Sequence, residues 1–405
     1  MTEGALSGIK VVEWAHLHMG PGGGMFLSDM GADVIHVEQR GLGDSMRRVD
    51  TMWGVDFALP NDRNLFTEDL LRNKQSLAID LSTDAGVEVV HRLVADADVF
   101  ITNMRAGTIA RARMDYDTLS ALNPRLVYSH GTAFGPDGPD ADAPGNEILG
   151  LARAGLMLGS APADGEPIYP TVGLNDRLGA IGVAFSVLSA LVSRHHTGVG
   201  QLVETSLLGW MVNLQAIGAE VAANIGRDPR PPRREQSNNP LYNYYRCSDG
   251  TWVALGMMVH VDRYWTLTCA ALGRSDLEAD ERFADQDARE RNCRELIEIF
   301  DDCFAKLTFD EWNRAAKAHD LISAKVNALP DLKHDEQVLA NGYLVEQKHP
   351  DLDSWWYAPT PVRFSRTPVS IRSATPHCGQ DNVDVLRTAG FSDAEIDELV
   401  NADVI

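Results

Sequence analysis

The sequence predicts an α/β protein built on a mostly parallel β-sheet. Two observations carry this prediction: short apolar strand candidates alternate with helix candidates, and a glycine-rich stretch separates the first strand from the first helix. Strands that are separated by helices need crossover connections, which are right-handed and leave neighbouring strands parallel. The strand candidates occupy residues 9–14, 34–38, 77–80, 99–101, 126–128 and 201–205.

Helix candidates lie between these strands. Residues 25–30 form a helical run after a predicted glycine-rich turn at 20–24, and residues 84–95 place four apolar side chains on one face. A longer apolar helix is predicted over 177–193, and the segment 197–200, which contains two glycines, ends it.

The composition changes after a basic, proline-rich segment at 227–234, which is the best candidate for a domain boundary. Beyond it, a strand is predicted at 252–255 and helices near 264–272, 293–307, 309–319 and 381–399. The predicted division is a large Rossmann-like domain over 1–225, a smaller α+β domain over 226–340 and a C-terminal segment over 341–405.

Charge and cysteine content narrow the function classes. The 405 residues include 36 Lys and Arg against 58 Asp and Glu, a net charge of −22, which repels nucleic acid and anionic lipid. The five cysteines are scattered without a C-x-x-C pair, so we expect reduced thiols and no metal site. Neither a secretory signal nor an uninterrupted apolar run of about 18 residues is visible, so we expect a cytoplasmic enzyme without a membrane span.

The glycine-rich stretch raises one alternative function. A dinucleotide-binding fingerprint needs three spaced glycines and an acidic residue at the end of the second strand. Gly22, Gly24 and Glu38 satisfy three of these positions, but Leu27 stands where the third glycine belongs. A nicotinamide-binding dehydrogenase or a non-catalytic nucleotide-binding module therefore remains an alternative with an incomplete motif.

A series of segments, in order along the chain, carries a family resemblance. They are 6–13 (LSGIKVVE), 20–21 (GP), 27–38 (LSDMGADVIHVE), 72–76 (RNKQS), 79–81 (IDL), 97–107 (ADVFITNMRAG), 123–128 (NPRLVY), 134–139 (FGPDGP), 197–201 (TGVGQ) and 361–368 (PVRFSRTP). Together they resemble the class III coenzyme A transferases, the family of formyl-CoA transferase and carnitine CoA-transferase, with α-methylacyl-CoA racemase as a relative. The resemblance implies an interlocked homodimer whose C-terminal segment returns to the large domain.

The resemblance also implies the reaction and its nucleophile. Asp176, in the segment 172–179 (VGLNDRLG), matches the family's catalytic aspartate. Its carboxylate would attack an acyl-CoA thioester and become an aspartyl-CoA thioester, which an acceptor acid opens. Backbone N–H groups beside Asp176 would stabilise the oxyanion. Coenzyme A is then a substrate and product, and no metal or redox cofactor is needed.

Further residues are implied as contacts of coenzyme A. Its phosphates need cations, and Lys74, Arg105 and Arg111 are the candidates by match to the family, with Asn103 as a polar contact.

Two further positions carry other side chains than the family does. His18 stands where formyl-CoA transferase has a glutamine near its reacting centre, and Leu17 precedes it. Gln39 stands where that enzyme has an arginine beside the adenine, and neighbouring Arg40 is the candidate replacement.

One departure from the relatives bears on the choice of reaction. The racemases carry a histidine in a G-H-D triplet, whereas this chain has Gly145-Asn146-Glu147. Without that histidine a two-base exchange of an α-proton lacks one partner, so CoA transfer is favoured over the alternative of a CoA-dependent racemase or isomerase. The polar segment 236–242 replaces the glycine-rich loop of formyl-CoA transferase, so its substrates are not carried over.

Overall fold

The computed structural model describes residues 4–259 and 261–405, which form two compact units. The first contains the described residues up to Met157 together with Tyr169–Asp228 and Gln337–Ile405. The second contains Leu158–Ile168 and Pro229–Glu336. Leu158–Ile168, which lies within the predicted large domain, belongs to the second unit in the structure, where Asp164 pairs with Arg233 at 3.2 Å.

The first unit is built on a six-stranded parallel sheet, which confirms the predicted α/β class. The strands are β1 Lys10–Trp14, β2 Asp33–Gln39, β3 Lys74–Ile79, β4 Val99–Thr102, β5 Val127–Thr132 and β6 Leu202–Ser206. Their spatial order is β6-β5-β4-β1-β2-β3. Because parallel strands all end at the same edge, the loops that follow β1, β2, β4 and β5 gather at one side of the sheet, where α/β proteins place their ligands.

Helices connect the strands and cover the sheet. In the first unit they include α1 Met19–Asp29, α2 Leu65–Leu70, α3 Asp84–Ala95, α4 Ala106–Arg111, α5 Tyr116–Leu122, α6 Glu147–Arg153, α8 Leu174–Thr197, α9 Leu207–Leu214 and α10 Ala216–Ile225. The short helix α7 Leu156–Gly159 begins in the first unit, and its last two residues belong to the second. Two short hairpins, Thr51–Met52 with Val55–Asp56 and Ala58–Leu59 with Arg63–Asn64, lie between β2 and α2.

The predicted glycine-rich turn at 20–24 is wrong, because these residues form the first turns of α1 and are buried. The glycines allow α1 to lie against α8. A Cβ atom on Gly22 would come 2.7 Å from Cβ of Ala180, and one on Gly23 would come 2.4 Å from Cγ1 of Val183. The glycines thus serve the close packing of two helices.

Helix α8 is longer than predicted and begins three residues earlier, so Asp176 lies inside its first turn. By length and composition alone α8 is apolar enough to cross a membrane, with 44% of its most apolar window buried. It packs along α1 and also contacts α9, β5 and β6. These contacts are those of a core helix that covers a sheet.

The second unit has a three-stranded antiparallel sheet, β7 Tyr244–Arg246, β8 Trp252–Leu255 and β9 Ser323–Lys325. Its longer helices are α11 Val261–Ala271, α12 Gln286–Arg291, α13 Cys293–Phe304 and α14 Phe309–Ala318. The short helix α15 Glu336–Ala340 begins at the last residue of this unit, and its other residues belong to the first. Stacked aromatic rings form its core, with Tyr245 and Phe304 centred 4.9 Å apart.

The C-terminal residues Gln337–Ile405 belong to the first unit. They form a hairpin, β10 Val345–His349 with β11 Asp353–Tyr357, and two helices, α16 Asn382–Thr388 and α17 Asp393–Asn401. The carboxylate of Asp381 accepts a hydrogen bond from the Ser76 amide of β3 at 2.8 Å, and the Gly379 amide donates to the Ser76 hydroxyl at 2.7 Å.

Candidate active site

Asp176 lies at the start of α8, immediately after a left-handed turn. Gly173 precedes the helix with φ +71°, a conformation that glycine adopts without the steric cost that a Cβ atom brings. The backbone N–H of Asp176 donates to Oε2 of Glu147 at 2.8 Å, and that of Asn175 donates to Oε1 at 3.3 Å. The carboxylate of Glu147 therefore caps α8 by accepting from the N–H groups of both residues.

The two carboxyl groups influence each other. Burial, followed by the negative charge of Glu147, raises the pKa of Asp176 to about 7. A half-buried aspartate at this pKa exchanges between its protonated and ionised forms near neutral pH. A perturbed carboxyl group of this kind is characteristic of functional sites.

Aromatic side chains stand beside Glu147. The Tyr169 hydroxyl donates to Oε1 of Glu147 at 3.4 Å, and burial raises the pKa of this phenol to about 12. The indole of Trp53 stacks on the Tyr169 ring with centroids 6.2 Å apart, and 56% of Trp53 is exposed. No local pattern in the sequence links positions 53 and 169 to Asp176, so neither residue was predicted. The sequence pointed to Glu147 only through the triplet 145–147, which differs from that of the racemases.

The structure brings His18 to the start of α8. The His18 ring is buried edge-on against Phe66, and a Cβ atom on Gly173 would come 3.4 Å from its Cε1 atom. Burial and the positive charge of Arg177 lower the pKa of His18 to about 4, so the imidazole is neutral. Its Nε2 atom has no hydrogen-bond partner among the residues that the structure describes.

Two cavities open at the edge of the sheet where the strands end, and they share His16 and Met104. One has a volume of about 330 Å³ and is lined by Gln39 and Arg48, among others. The second, of about 580 Å³, is lined by Arg105 and the segment 141–145. This edge is the place where the crossover topology predicts a ligand.

Asn103 holds the backbone between the two cavities. Its side-chain oxygen accepts from the His16 amide at 2.9 Å, and its Nδ2 donates to the His16 carbonyl at 2.8 Å. Both halves of the Asn103 amide are thereby used. Leu17, which follows His16 in the chain, has a left-handed backbone conformation with φ +59°, and it is 41% exposed.

The predicted cations differ in their surroundings. Arg105 is exposed at the mouth of the larger cavity. Arg111 is exposed at the end of α4, where it donates to the Thr108 hydroxyl at 3.1 Å, and it does not line either cavity. The structure thus brings only Arg105 of this pair to the cavity.

Lys74 and Arg40 are bound within the protein. The Lys74 ammonium is buried and donates to Glu13 Oε1 at 2.7 Å, to Glu13 Oε2 at 3.0 Å and to the Pro21 carbonyl at 2.7 Å, which uses all three N–H donors. Arg40 pairs with Asp403 at 2.6 Å and with the terminal Ile405 carbonyl at 2.9 Å. Lys74 was predicted as a phosphate contact and Arg40 as the replacement for an arginine beside the adenine. In the structure both side chains pair with groups of the protein itself.

Comparison with known proteins agrees with this geometry. A family model described as CoA-transferase family III matches residues 6–382. The chain is 28% identical to (R)-2-hydroxy-4-methylpentanoate CoA-transferase of Clostridioides difficile, over 99% of each chain. It is 31% identical to succinate–glutarate CoA-transferase of Agrobacterium fabrum, over 94% of each.

Solved structures give the same result. A CAIB/BAIF family protein from Brucella suis has a TM-score of 0.85 at 28% identity, over 96% of this chain and 100% of that one. Rv3272 from Mycobacterium tuberculosis has a TM-score of 0.80 at 26% identity, over 95% and 99%. Because the family model spans nearly the whole chain and the fold agrees with it, the protein belongs to CoA-transferase family III.

Proposed function

We propose that this enzyme moves coenzyme A between an acyl-CoA thioester and a free carboxylic acid through a covalent aspartyl-CoA thioester on Asp176. The observation that carries the proposal is the carboxyl group of Asp176, half-buried in the first turn of α8 with its backbone N–H bonded to Glu147 and its pKa raised to about 7. Its position in a chain that belongs to a CoA-transferase family supports the role of nucleophile.

The chemistry needs only oxygen and sulfur nucleophiles. A carboxylate oxygen of Asp176 attacks the thioester carbon, and the C–S bond breaks to leave CoA thiolate and a mixed anhydride. The thiolate attacks the aspartyl carbonyl carbon, and the donor acid departs as its carboxylate. The acceptor carboxylate then repeats these two steps in reverse. One thioester is broken and one is made, so the reaction needs neither a metal nor a redox cofactor.

Glu147 and His18 have distinct proposed roles in these steps. Glu147 fixes the backbone of Asp176, and its charge keeps the pKa of the nucleophile high, which strengthens the carboxylate as a nucleophile once it is ionised. His18 is neutral and buried beside Gly173, and its unpartnered Nε2 suits a hydrogen bond with the thioester oxygen.

The two cavities that share His16 are the proposed site for the CoA moiety. Gln39 and Arg48 line the smaller cavity, and Arg105 lines the larger one. Arg105 and Arg48 are the proposed phosphate contacts because each lines one of the cavities, whereas the Lys74 ammonium is already bonded to Glu13 and to the Pro21 carbonyl.

We further propose that the enzyme works as a homodimer in the cytoplasm. Large apolar side chains are exposed on α8 and α10, among them Phe185 at 61%, Val192 at 61% and Ile217 at 82%, and such a surface favours burial against a second copy. The cysteine thiols in the described residues are unpaired, which suits a reducing compartment.

Trapping the intermediate tests the proposed mechanism. The enzyme is incubated with a panel of acyl-CoA donors, treated with hydroxylamine or borohydride, and digested for peptide mass analysis. We expect the modification on Asp176 in the wild-type enzyme and its absence in Asp176→Asn, while Asp137→Asn, an exposed control, behaves as wild type.

Three outcomes would contradict the proposal. An adduct on another residue, or transfer retained in Asp176→Asn, would exclude Asp176 as the nucleophile. Solvent deuterium entering the α-carbon of the acyl group without an acceptor acid would instead indicate the racemase reaction.

A further inference from the structure

A cluster of charged side chains lies buried beneath the loop that joins β1 to α1. Glu13 of β1 accepts from His36 Nδ1 of β2 at 2.7 Å and from the Lys74 ammonium of β3 at 2.7 Å. The other ring nitrogen of His36, Nε2, lies 3.4 Å from Oδ2 of Asp44. We call Glu13, His36, Lys74 and Asp44 the Glu13 cluster. The side chains of Glu13, His36 and Lys74 are fully buried, and that of Asp44 is 1% exposed.

The charges of this cluster depend on one another. Burial opposes a charge on His36, but its contacts with Asp44 and Glu13 prevail and raise its pKa to about 9. The imidazole is therefore positively charged at neutral pH and lies between two carboxylates. Loss of that charge would leave the buried carboxylate of Asp44 without the cation that faces its Oδ2 atom. Glu38, which accepts a hydrogen bond from the Asp44 amide, is itself acidic and cannot replace that cation.

Asp44 connects the Glu13 cluster to the loop between β1 and α1. Its second oxygen, Oδ1, accepts from the backbone N–H of Leu17 at 3.3 Å and from that of Met46 at 2.9 Å. Leu17 has φ +59°, a left-handed conformation that an L-residue with a side chain adopts at a steric cost. A hydrogen bond to its N–H from a fixed carboxylate helps to hold that conformation.

The position of this loop links the cluster to the candidate active site. His16 lines both cavities, and Asn103 holds the His16 backbone through two hydrogen bonds. The residue after Leu17 is His18, the buried imidazole beside Gly173. A shift of Leu17 would therefore move the wall between the cavities together with the side chain that faces the start of α8.

We propose that His36 is a positioning residue for CoA transfer, which acts through Asp44 to hold Leu17 and so fixes the segment 16–18 between the two cavities. The inference rests on the proposed function of these cavities as the CoA site. His36 itself touches no substrate, because its side chain is completely enclosed.

Variants of His36 test the proposal by their effect on substrate binding. His36→Gln keeps hydrogen-bonding capacity without the charge, and His36→Lys restores a cation. We expect His36→Gln to raise KM for acyl-CoA about tenfold with kcat changed less than about threefold, and His36→Lys to recover a KM within about threefold of wild type. Val90→Ala, a buried apolar substitution on α3, serves as the control for lowered stability.

A second measurement does not depend on activity. Hydrogen exchange of the wild-type protein and of each variant, followed by mass spectrometry, reports the protection of the Leu17 amide. We expect faster exchange in the peptide that contains residues 16–18 for His36→Gln, and wild-type exchange there for Val90→Ala. Unchanged exchange in His36→Gln, an unchanged KM, or an equal rise of KM in Val90→Ala would overturn the positioning role.

The two proposals fail in different ways. If the wild-type enzyme neither binds acyl-CoA nor forms an adduct, the proposed function is wrong, whatever the His36 variants do. If the wild-type enzyme transfers CoA and only the His36 expectations fail, the proposed function stands and the positioning role does not.

Discussion

The carboxylate of Glu147 accepts a hydrogen bond from the backbone N–H of Asp176 at 2.8 Å, so two acidic residues meet at the first turn of α8. One of them caps the helix, and the other has its carboxyl group in a half-buried position. A helix N-terminus ordinarily favours an ionised carboxylate. Here burial and the neighbouring charge outweigh that preference and raise the pKa of Asp176 to about 7.

Removal of the Glu147 charge should shift the pH dependence of catalysis. The nucleophile must be ionised, so activity is lost as the pH falls through the pKa of Asp176. Glu147→Gln removes a like charge that raises this pKa, and we therefore expect the acidic limb of the kcat profile to move to lower pH. The profile of single-turnover rates over pH 5–9 checks the direction. An unmoved or upward-shifted limb would show that the Glu147 charge does not act on the nucleophile.

Asp176→Asn should change stability in a pH-dependent direction. The folded-state pKa of about 7 lies above the ordinary value of 3.8, so folding binds the proton more tightly and stability is lost as the pH rises between these two values. We expect Asp176→Asn to raise the melting temperature relative to wild type at pH 8, and the gain to shrink towards pH 4. A gain that is equal at both pH values would contradict the raised pKa.

Gly23→Ala should destabilise the protein through the contact between α1 and α8. The added Cβ would come 2.4 Å from Cγ1 of Val183, and overpacking of this kind costs about 1–3 kcal/mol. Gly107→Ala is the matched control, because its Cβ would meet nothing closer than Arg111 Nη1 at 3.6 Å. Chemical denaturation of both variants measures the difference. Equal stability of the two would mean that α1 and α8 do not pack this closely.

Lys74→Met should lower the stability of the protein, whereas Arg105→Ala should weaken the binding of acyl-CoA. Lys74→Met leaves Glu13 with the His36 cation alone, and breaking a buried ion pair costs about 3–5 kcal/mol. Arg105→Ala removes an exposed side chain, so we expect unchanged stability and a KM for acyl-CoA raised about tenfold. Denaturation and steady-state kinetics on both variants test this. A stable Lys74→Met enzyme with a raised KM would restore Lys74 as a substrate contact.

Ile217→Asp should weaken self-association. Ile217 is 82% exposed on α10 beside other exposed apolar residues, and a charge in a buried interface is costly. Leu329→Asp, at a residue of similar exposure in the second unit, is the control. Sedimentation velocity over a range of concentrations should show a smaller species for Ile217→Asp only. If both variants match the wild-type protein, α10 lies outside the interface.

Local pattern was enough to predict most secondary structure. The strand predicted at 252–255 is β8, and the helix predicted at 84–95 is α3, since both depend on the spacing of apolar residues within one segment. The predicted helix at 381–399 is instead two helices, α16 and α17, separated at Gly390, which has φ +83°.

The surroundings of the charged residues were not predictable in this way. Lys74 was expected at a phosphate because its sequence neighbours resemble a family segment, but its partner Glu13 lies 61 residues away on another strand. The glycines at 20–24 suggested a turn, and only the approach of α8 explains them as helical. Such contacts depend on distances between elements, which no local period encodes.

The sequence by itself determined the alternation of strands and helices, the parallel sheet that follows from it, and the family to which the chain belongs. Only the tertiary structure decided which acid caps α8, which cations face a cavity and which are buried in pairs. The physical reason is that apolar periodicity acts within one element, whereas burial and charge pairing arise when residues far apart in the chain come within a few ångströms of one another.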